Sequence, residues 1–234
     1  LEAIKILNLS KRCKFYQAST SELFGNAPTP QNEKTKFSPR SPYAIAKLYA
    51  YWITVNYREA YGIFASNGIL FNHESPRRGE TFVTKKIVSG LCKIKIGKQK
   101  KIFLGNLNAK RDWGHARDYC FAMWRILQQR KPDDYVIATG LQYSIKQFIN
   151  LTAKELKMRI FWKGKGIKEK GYNEKGNPII ECDSNYLRPL DVDTLLGDSK
   201  KARTKLKWKP KNDINKLIKE MVHEEKKTLS NDKP

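Results

Sequence analysis

Between Lys14 and Lys47 the chain places four side chains whose types suit acid/base work on a small polar substrate: Thr20, Glu22, Tyr43 and Lys47. Tyr43 and Lys47 are four apart in a helical stretch, so they share a face one turn apart. An ammonium beside a phenol favours the phenolate and so makes a base of a group that otherwise keeps its proton. With 11 tyrosines and 34 lysines in 234 residues, composition alone supplies such a pair by chance. What gives it weight is Thr20 and Glu22 at the end of the strand that precedes the helix. In extended chain, residues two apart point the same way, so a hydroxyl and a carboxylate project together. Taken singly, Glu22 is most simply a turn or helix-cap carboxylate and Thr20 a turn hydroxyl.

The elements that must position these groups are legible in outline. A helix is expected over Leu1–Leu9, and Lys14–Ser19 reads as a short buried strand closed by a Thr-Ser-Glu turn. Gly25, Pro28, Pro30 and Pro39 mark residues 25–40 as a long loop. Ser41 and Pro42 then open a helix as cap and first-turn proline. Apolar and aromatic residues lie all around the stretch Tyr43–Tyr61, which predicts a largely buried helix ended by Gly62. Ile63–Phe71 is a second buried strand leading into the polar loop 72–80. Helices are expected over Thr81–Ile94, His115–Gln129 and Ser144–Lys157, with strands over Lys101–Leu104 and Asp134–Thr139. This alternation implies an α/β fold of parallel βα units with ligand loops at the carboxyl ends of the strands. Beyond Arg159 the regularity fades into a lysine- and glycine-rich loop over Phe161–Lys175, a strand over Ile179–Asp183 and a turn over Asn185–Pro189. Two short helices follow, near Ser199–Leu206 and Asp213–Lys226, and then a disordered tail over 229–234.

Composition bounds the function. The chain is 40% apolar with 11% aromatic residues, enough for a real core. Its apolar runs are too short to cross a membrane. Cys13, Cys92, Cys120 and Cys182 form no paired motif, and His73, His115 and His223 show no ligand spacing, so neither a metal site nor a disulfide framework is expected. A reducing, cytoplasmic setting is the default. The net charge of +23 raises nucleic acid as a partner. Its distribution argues otherwise: the first 117 residues carry an excess of 14 positive charges and the rest 9, and lysine supplies 34 of the 46 cations, whereas phosphate and base recognition favours arginine. A solvated lysine surface is the simpler reading, with no nucleic-acid partner.

Ser19-Thr-Ser-Glu-Leu-Phe-Gly25 followed by Ser41-Pro-Tyr-Ala-Ile-Ala-Lys47 resembles the active-site region of the extended short-chain dehydrogenases/reductases. Asn72-His-Glu-Ser-Pro-Arg-Arg-Gly-Glu-Thr-Phe82, Leu104-Gly-Asn-Leu107 and Lys110-Arg-Asp-Trp-Gly-His-Ala116 narrow the resemblance to the GDP-mannose 4,6-dehydratase family. Ile137-Ala-Thr-Gly140, Arg188-Pro189 and Leu195-Leu-Gly-Asp198 extend it to about residue 225. The resemblance implies NADP as cofactor and GDP-mannose as substrate. Tyr43 would take the proton of the sugar 4-hydroxyl while C4 passes hydride to NADP, with Lys47 at the cofactor ribose. Glu22 would remove the C5 proton and assist loss of the 6-hydroxyl, Thr20 would bond the C4 oxygen, and hydride would return to C6 to give GDP-4-keto-6-deoxymannose. His73 and Arg78 match cofactor-binding positions, and Asn72, Lys86, Arg111, Arg188 and Asp191 match positions around the GDP-sugar. A homo-oligomer, dimer or tetramer, is also implied, the Arg77-Arg78 loop resembling one that reaches a neighbouring subunit.

By the same resemblance, residues 1–150 are the later part of a Rossmann-like catalytic domain, with segments given to a substrate domain, and 151–228 are mainly the GDP-sugar domain. Asp191 stands where the family usually has Glu, and Ser184 and Leu187 replace a common Pro and Phe around Tyr186. No glycine-rich phosphate loop is present: Gly164, Gly166 and Gly171 have the wrong spacing and setting. With Leu rather than Met at position 1, the expectation is the carboxyl-terminal two thirds of such an enzyme, with weak NADP binding and little turnover alone. Two alternatives remain open: another nucleotide-sugar dehydratase or epimerase of the same superfamily, or a non-catalytic basic binding protein. Glu22 favours dehydration over epimerisation, because hydride transfer at C4 alone needs no C5 base.

Overall fold

The computed structural model describes residues 1–187, 190 and 192–231. In chain order its first elements are α1 (Glu2–Ile6), β1 (Lys14–Thr20), α2 (Pro42–Tyr61), β2 (Phe64–Leu70), β3 (Asn72–Glu74), α3 (Val83–Lys95), β4 (Ile102–Leu104), β5 (Lys110–Arg111) and β6 (Trp113–His115). There follow α4 (Ala116–Leu127), β7 (Tyr135–Ile137), β8 (Tyr143–Ser144), α5 (Ile145–Glu155), β9 (Phe161–Lys163), β10 (Lys170–Tyr172), β11 (Pro178–Cys182), α6 (Lys200–Lys205) and α7 (Ile214–Asn231). They form two compact units, each assembled from three stretches of chain: 1–73, 112–142 and 194–211 in one, 74–111, 143–193 and 212–234 in the other. Segments before residue 150, 74–111 among them, thus fold with later parts of the chain.

The first unit is built on a parallel sheet in the order β1-β2-β7, with α2, α4 and α6 packed on it. β2 is buried along nearly its whole length, as parallel strands covered by helices are. Ile63, Ile69, Phe71, Val136, Tyr119 and Trp208 fill the core, each large side chain stabilising by roughly 1.5–3 kcal/mol. The loop 25–40 reaches the β7 edge of the sheet. Glu33 accepts a hydrogen bond from the Val136 N–H of β7 at 2.8 Å. The buried Gln31 pairs through its backbone with Leu196 and Asp198. An edge strand left bare would offer unpaired backbone groups to other chains.

The second unit holds a mixed four-stranded sheet, β4-β11-β10-β9, with α3, α5 and α7 packed on one another. β11 runs parallel to β4, while β10 is antiparallel to both β11 and β9. Gly90 lets α3 sit close to this sheet, since a Cβ there would lie 2.6 Å from Ile102.

Three expectations are corrected. The stretch Phe161–Lys175 contains the antiparallel pair β9–β10 rather than a plain loop; its strands of three residues are too short for alternation to show through the lysines and glycines. The tail 229–234 is helical as far as Asn231, with Leu229 continuing an amphipathic helix, and 232–234 lie outside the described residues. Helix α2 is not covered all round: Ile45, Tyr49 and Trp52 are 58, 72 and 56% exposed, because its contacts with the sheet lie on the face of Ala44, Tyr51, Thr54 and Val55.

That inner face of α2 is fixed by one carboxylate. Asp134 accepts hydrogen bonds from Tyr51 Oη at 3.1 Å, from both terminal nitrogens of Arg58 at 2.9 Å, and from Asn67 N and Nδ2 at 3.0 and 2.9 Å. Burial alone would raise its pKa, but the paired Arg58 guanidinium and the Asn67 donors outweigh it and hold the carboxyl below the usual aspartate value. An acid with a depressed folded pKa contributes stability above its unfolded pKa and loses it as pH falls through the folded value. Asp134→Asn should therefore cost about 2–3 kcal/mol at pH 7, somewhat less than for a fully buried pair. The deficit relative to the parent should shrink as pH falls below about 4. Urea unfolding at pH 7 and pH 3.5 measures both, and an equal deficit at the two values contradicts the linkage.

Candidate active site

Strand β1 ends in the buried pair Ser19 and Thr20. Thr20 keeps extended backbone and caps the short 3-10 turn Ser21–Leu23, its Oγ1 accepting from Glu22 N at 3.2 Å. A hydroxyl has one proton and two lone pairs, so this bond leaves the Thr20 O–H free to donate. Leu23 and Phe24 are fully buried and pin the turn, Phe24 resting on Phe37 and Phe71 with ring centroids 5.5 and 6.1 Å away. Glu22, half-buried, is left on the open side. Gly25 then turns the chain at φ +51°, with the Ser38 carbonyl in the place a Cβ would occupy.

Helix α2 begins with Ser41, whose Oγ accepts from Ala44 N at 3.1 Å, followed by Pro42 in the first turn. Its opening turns pack against the Ser21–Leu23 turn. Tyr43 projects with 55% of its surface exposed. One turn on, Lys47 reaches from the helix to β1 and donates to the Ala18 carbonyl at 2.9 Å, its Nζ 5.9 Å from the Tyr43 ring centroid. Ala18 is two residues before Thr20, so this bond brings the Tyr43–Lys47 pair to the strand end that carries Thr20 and Glu22.

Two more predicted residues stand in the same unit just after β2. Among the described residues, the buried Asn72 Oδ1 has no hydrogen-bond partner, and Ser19 Oγ is in the same condition at the end of β1. The His73 ring stacks on Tyr119 at 4.9 Å and 20°. Its Nδ1 lies 2.9 Å from the Phe71 carbonyl; a carbonyl only accepts, so Nδ1 carries the proton in that bond. Buried Asp112 braces the neighbouring loop, accepting from Thr139 N, Thr139 Oγ1 and Gly140 N at 2.9, 2.6 and 2.9 Å. Burial pushes its pKa up against those hydrogen bonds.

Arg78, Lys86 and Arg111 belong to the second unit. Lys86 Nζ sits 3.4 Å from the centroid of the Tyr186 ring, Arg78 is paired with Glu74, and Arg111 donates to the Lys110 carbonyl. Arg188 and Asp191 lie outside the described residues. The sequence reading missed Ser19, Asp112, Glu74 and the Lys86–Tyr186 contact. Only the position of Ser19 before Thr20 offered a local signal. Among the described residues no group of His, Cys, Asp and Glu is arranged to hold a metal, and no helix is long and apolar enough to cross a membrane.

A parallel sheet with Thr-x-Glu at one strand's carboxyl end, and a Tyr-x-x-x-Lys helix fastened to that end, defines the extended short-chain dehydrogenase/reductase class. A solved structure of the class, RMD from Pseudomonas aeruginosa complexed with NADPH, matches with a TM-score of 0.81 over 97% of this chain and 70% of that one, at 20% identity. Residues 1–221 match the family model for GDP-mannose 4,6 dehydratase, and the chain belongs to that family. The GDP-mannose 4,6-dehydratase of Vibrio cholerae is 54% identical over 97% of this chain and 64% of its own length. That of Sinorhizobium fredii is 57% identical over 96% and 65%. The chain thus spans a little under two thirds of the length of these curated relatives.

The Gly25 turn is the most sensitive point of the site's scaffold. Gly25→Ala combines left-handed backbone with a backbone clash and should cost about 3 kcal/mol or more. Thermal unfolding should show the midpoint falling by about 6–12 °C, and a midpoint within a degree or two of the parent would mean that the turn is not held as described.

Proposed function

We propose that the chain carries the catalytic groups of a GDP-mannose 4,6-dehydratase, converting GDP-mannose to GDP-4-keto-6-deoxymannose with NADP. The observation that carries this reading is the Lys47–Ala18 bond, which seats the Tyr43–Lys47 pair against the strand end bearing Thr20 and Glu22. The buried oxygens of Ser19 and Asn72 at the same ends of β1 and β2, without partners among the described residues, suit a polar cofactor and substrate. Tyr43, Lys47 and His73 would hold the nicotinamide cofactor, a role supported by the NADPH in the related Pseudomonas aeruginosa structure. When bound, the cofactor supplies reversible oxidation at the sugar.

The chain's own residues handle the protons. Tyr43 accepts the proton of the 4-hydroxyl, with the Lys47 ammonium stabilising the phenolate that does so. Thr20 donates its free O–H to the C4 oxygen. Once C4 is a ketone, the C5 proton is acidic, and Glu22 removes it and then, as the acid, assists departure of the 6-hydroxyl as water. Asn72, Lys86, Arg111, Arg188 and Asp191 would bind the GDP-sugar, the cations meeting its diphosphate. Homo-oligomerisation belongs to the same reading. Four free thiols suit a reducing compartment such as the cytoplasm.

The protein carrying these residues should convert GDP-mannose labelled with deuterium at C4 into a 4-keto-6-deoxy product that holds the label at C6. Loss of label to solvent, or an epimerised sugar without loss of water, would sink the reading. Glu22→Gln should lower the rate by about 10²- to 10⁴-fold, as expected for removal of a general acid/base, while GDP-mannose binding stays near the parent value in equilibrium titration.

A further inference from the structure

The loop 25–40 joins the two halves of the candidate site, because Glu22 lies just before it and Tyr43 just after. The halves are held by unequal means. Thr20 ends β1 in register with Leu70 of β2, and Tyr43 is tied to the same strand through the Lys47–Ala18 bond. Glu22 has no such ladder. It sits in the 3-10 turn Ser21–Leu23, whose bonds run from Glu22 N to Thr20 Oγ1 at 3.2 Å, from Phe24 N to Ser21 O at 3.0 Å and from Gly25 N to Glu22 O at 3.3 Å. Hydrogen-bond geometry in such short turns is poor, so what packs behind this one decides where the carboxylate stands.

From the loop, Phe37 packs there. Its ring meets Phe24 with centroids 5.5 Å apart and meets Tyr51 of α2 edge-on at 4.9 Å and 77°, an arrangement that aromatic quadrupoles favour. The Tyr51 hydroxyl is in turn held by Asp134 at 3.1 Å. Ser38, the next residue, adds a direct bond to the turn, its N–H donating to the Leu23 carbonyl at 2.8 Å. Gln31 pairs with Leu196 and Asp198, and Glu33 with Val136, so the loop has a fixed base from which the ring bears on the turn. Phe37 thus stands between the turn that carries the carboxylate and the helix that carries the phenol.

We propose that Phe37 is a positioning residue for Glu22: wedged between Phe24 and Tyr51, its ring sets where the carboxylate stands relative to the Tyr43 helix, and so governs dehydration while leaving oxidation at C4 alone. The two chemical steps rest on the reading given above; the wedge rests on the contacts. Oxidation, in which C4 yields hydride to the nicotinamide and the 4-hydroxyl yields its proton to Tyr43, uses Thr20, Tyr43 and Lys47. In dehydration C5 yields its proton to Glu22, and the C6–O bond breaks as the 6-hydroxyl takes that proton and leaves as water. A carboxylate displaced by about 1 Å would slow that step about 10²-fold.

Two measurements on Phe37→Ala test this. In the ¹⁵N-labelled chain without cofactor, backbone order parameters at Glu22 and Leu23 should fall from about 0.85 to about 0.6, while Thr20 and Lys47 stay near 0.85. In single turnover of GDP-mannose with NADP by the protein carrying these residues, reduced nicotinamide should form within about threefold of the parent rate while the 4-keto-6-deoxy product appears about 10²-fold more slowly, so that reduced nicotinamide builds up. Phe37→Leu, which refills the space, should recover most of both effects, and Lys36→Ala, an exposed neighbour, should match the parent. If Phe37→Ala does not fold, Phe37→Val is read in its place with the same signs. The proposal is overturned if the order parameters at Glu22 and Leu23 do not change, if oxidation and dehydration slow together, or if product forms at the parent rate. A parent that turns over no GDP-mannose sinks the dehydratase reading and with it the catalytic half of the proposal, while the order parameters still decide whether Phe37 holds the turn.

Discussion

A lysine that leaves its helix to bond the backbone of a neighbouring strand fixes two elements at once, and the candidate site depends on that geometry at Lys47. Its ammonium donates to Ala18 O, a carbonyl near the carboxyl end of β1. Because Lys47 and Tyr43 are one turn apart, the bond also sets where the phenol stands. Because Ala18, Thr20 and Glu22 are two apart in sequence, the same bond relates the ammonium to the hydroxyl and to the turn that carries the carboxylate. A charge-assisted hydrogen bond of this kind is worth more than a neutral one, and it leaves further protons on Nζ for other acceptors.

That bond alone would leave α2 free to roll. Asp134 prevents this about one and three turns further along by gathering Tyr51 and Arg58 from the helix and Asn67 from β2. The helix is therefore held to the sheet at its start by Lys47 and in its middle by a carboxylate, and its inner surface is completed by Tyr51, Thr54 and Val55. The outer face, with Ile45, Tyr49 and Trp52, takes no part in positioning the site.

Much of this was legible in the sequence, for reasons that differ by residue. Ser41-Pro42, Gly62 and the Ser144 capping box mark helix ends through local backbone chemistry, so those boundaries fell within a residue or two. Thr20, Glu22, Tyr43 and Lys47 were legible because their motifs sit on the strand, turn and helix that local patterning also indicates. The hairpin β9–β10 was not, since its strands pair through backbone groups while their side chains are lysines, glycines and aromatics without alternation. The exposure of α2 was not legible either: apolar residues around a helix show what can be covered, not what covers it. Arg188 and Asp191, read from the family pattern, lie outside the described residues.

Buried carboxylates were the least legible class, and they are what shapes the loops. Glu74, Asp112 and Asp134 are all withdrawn from water, where an ionised carboxyl is costly unless donors surround it. Each is surrounded, but by different means: a hydroxyl and a guanidinium for Glu74, backbone N–H groups and a hydroxyl for Asp112, a guanidinium with amide and phenol donors for Asp134. Their donors lie 4 to 85 positions away, and all but Arg78 and Thr84 are beyond the reach of a short window of sequence. Two of the three directly adjoin a predicted binding residue, Glu74 following His73 and Asp112 following Arg111. In both places the carboxylate is the residue that turns fully inward and anchors the backbone, while the predicted residue before it stays partly exposed.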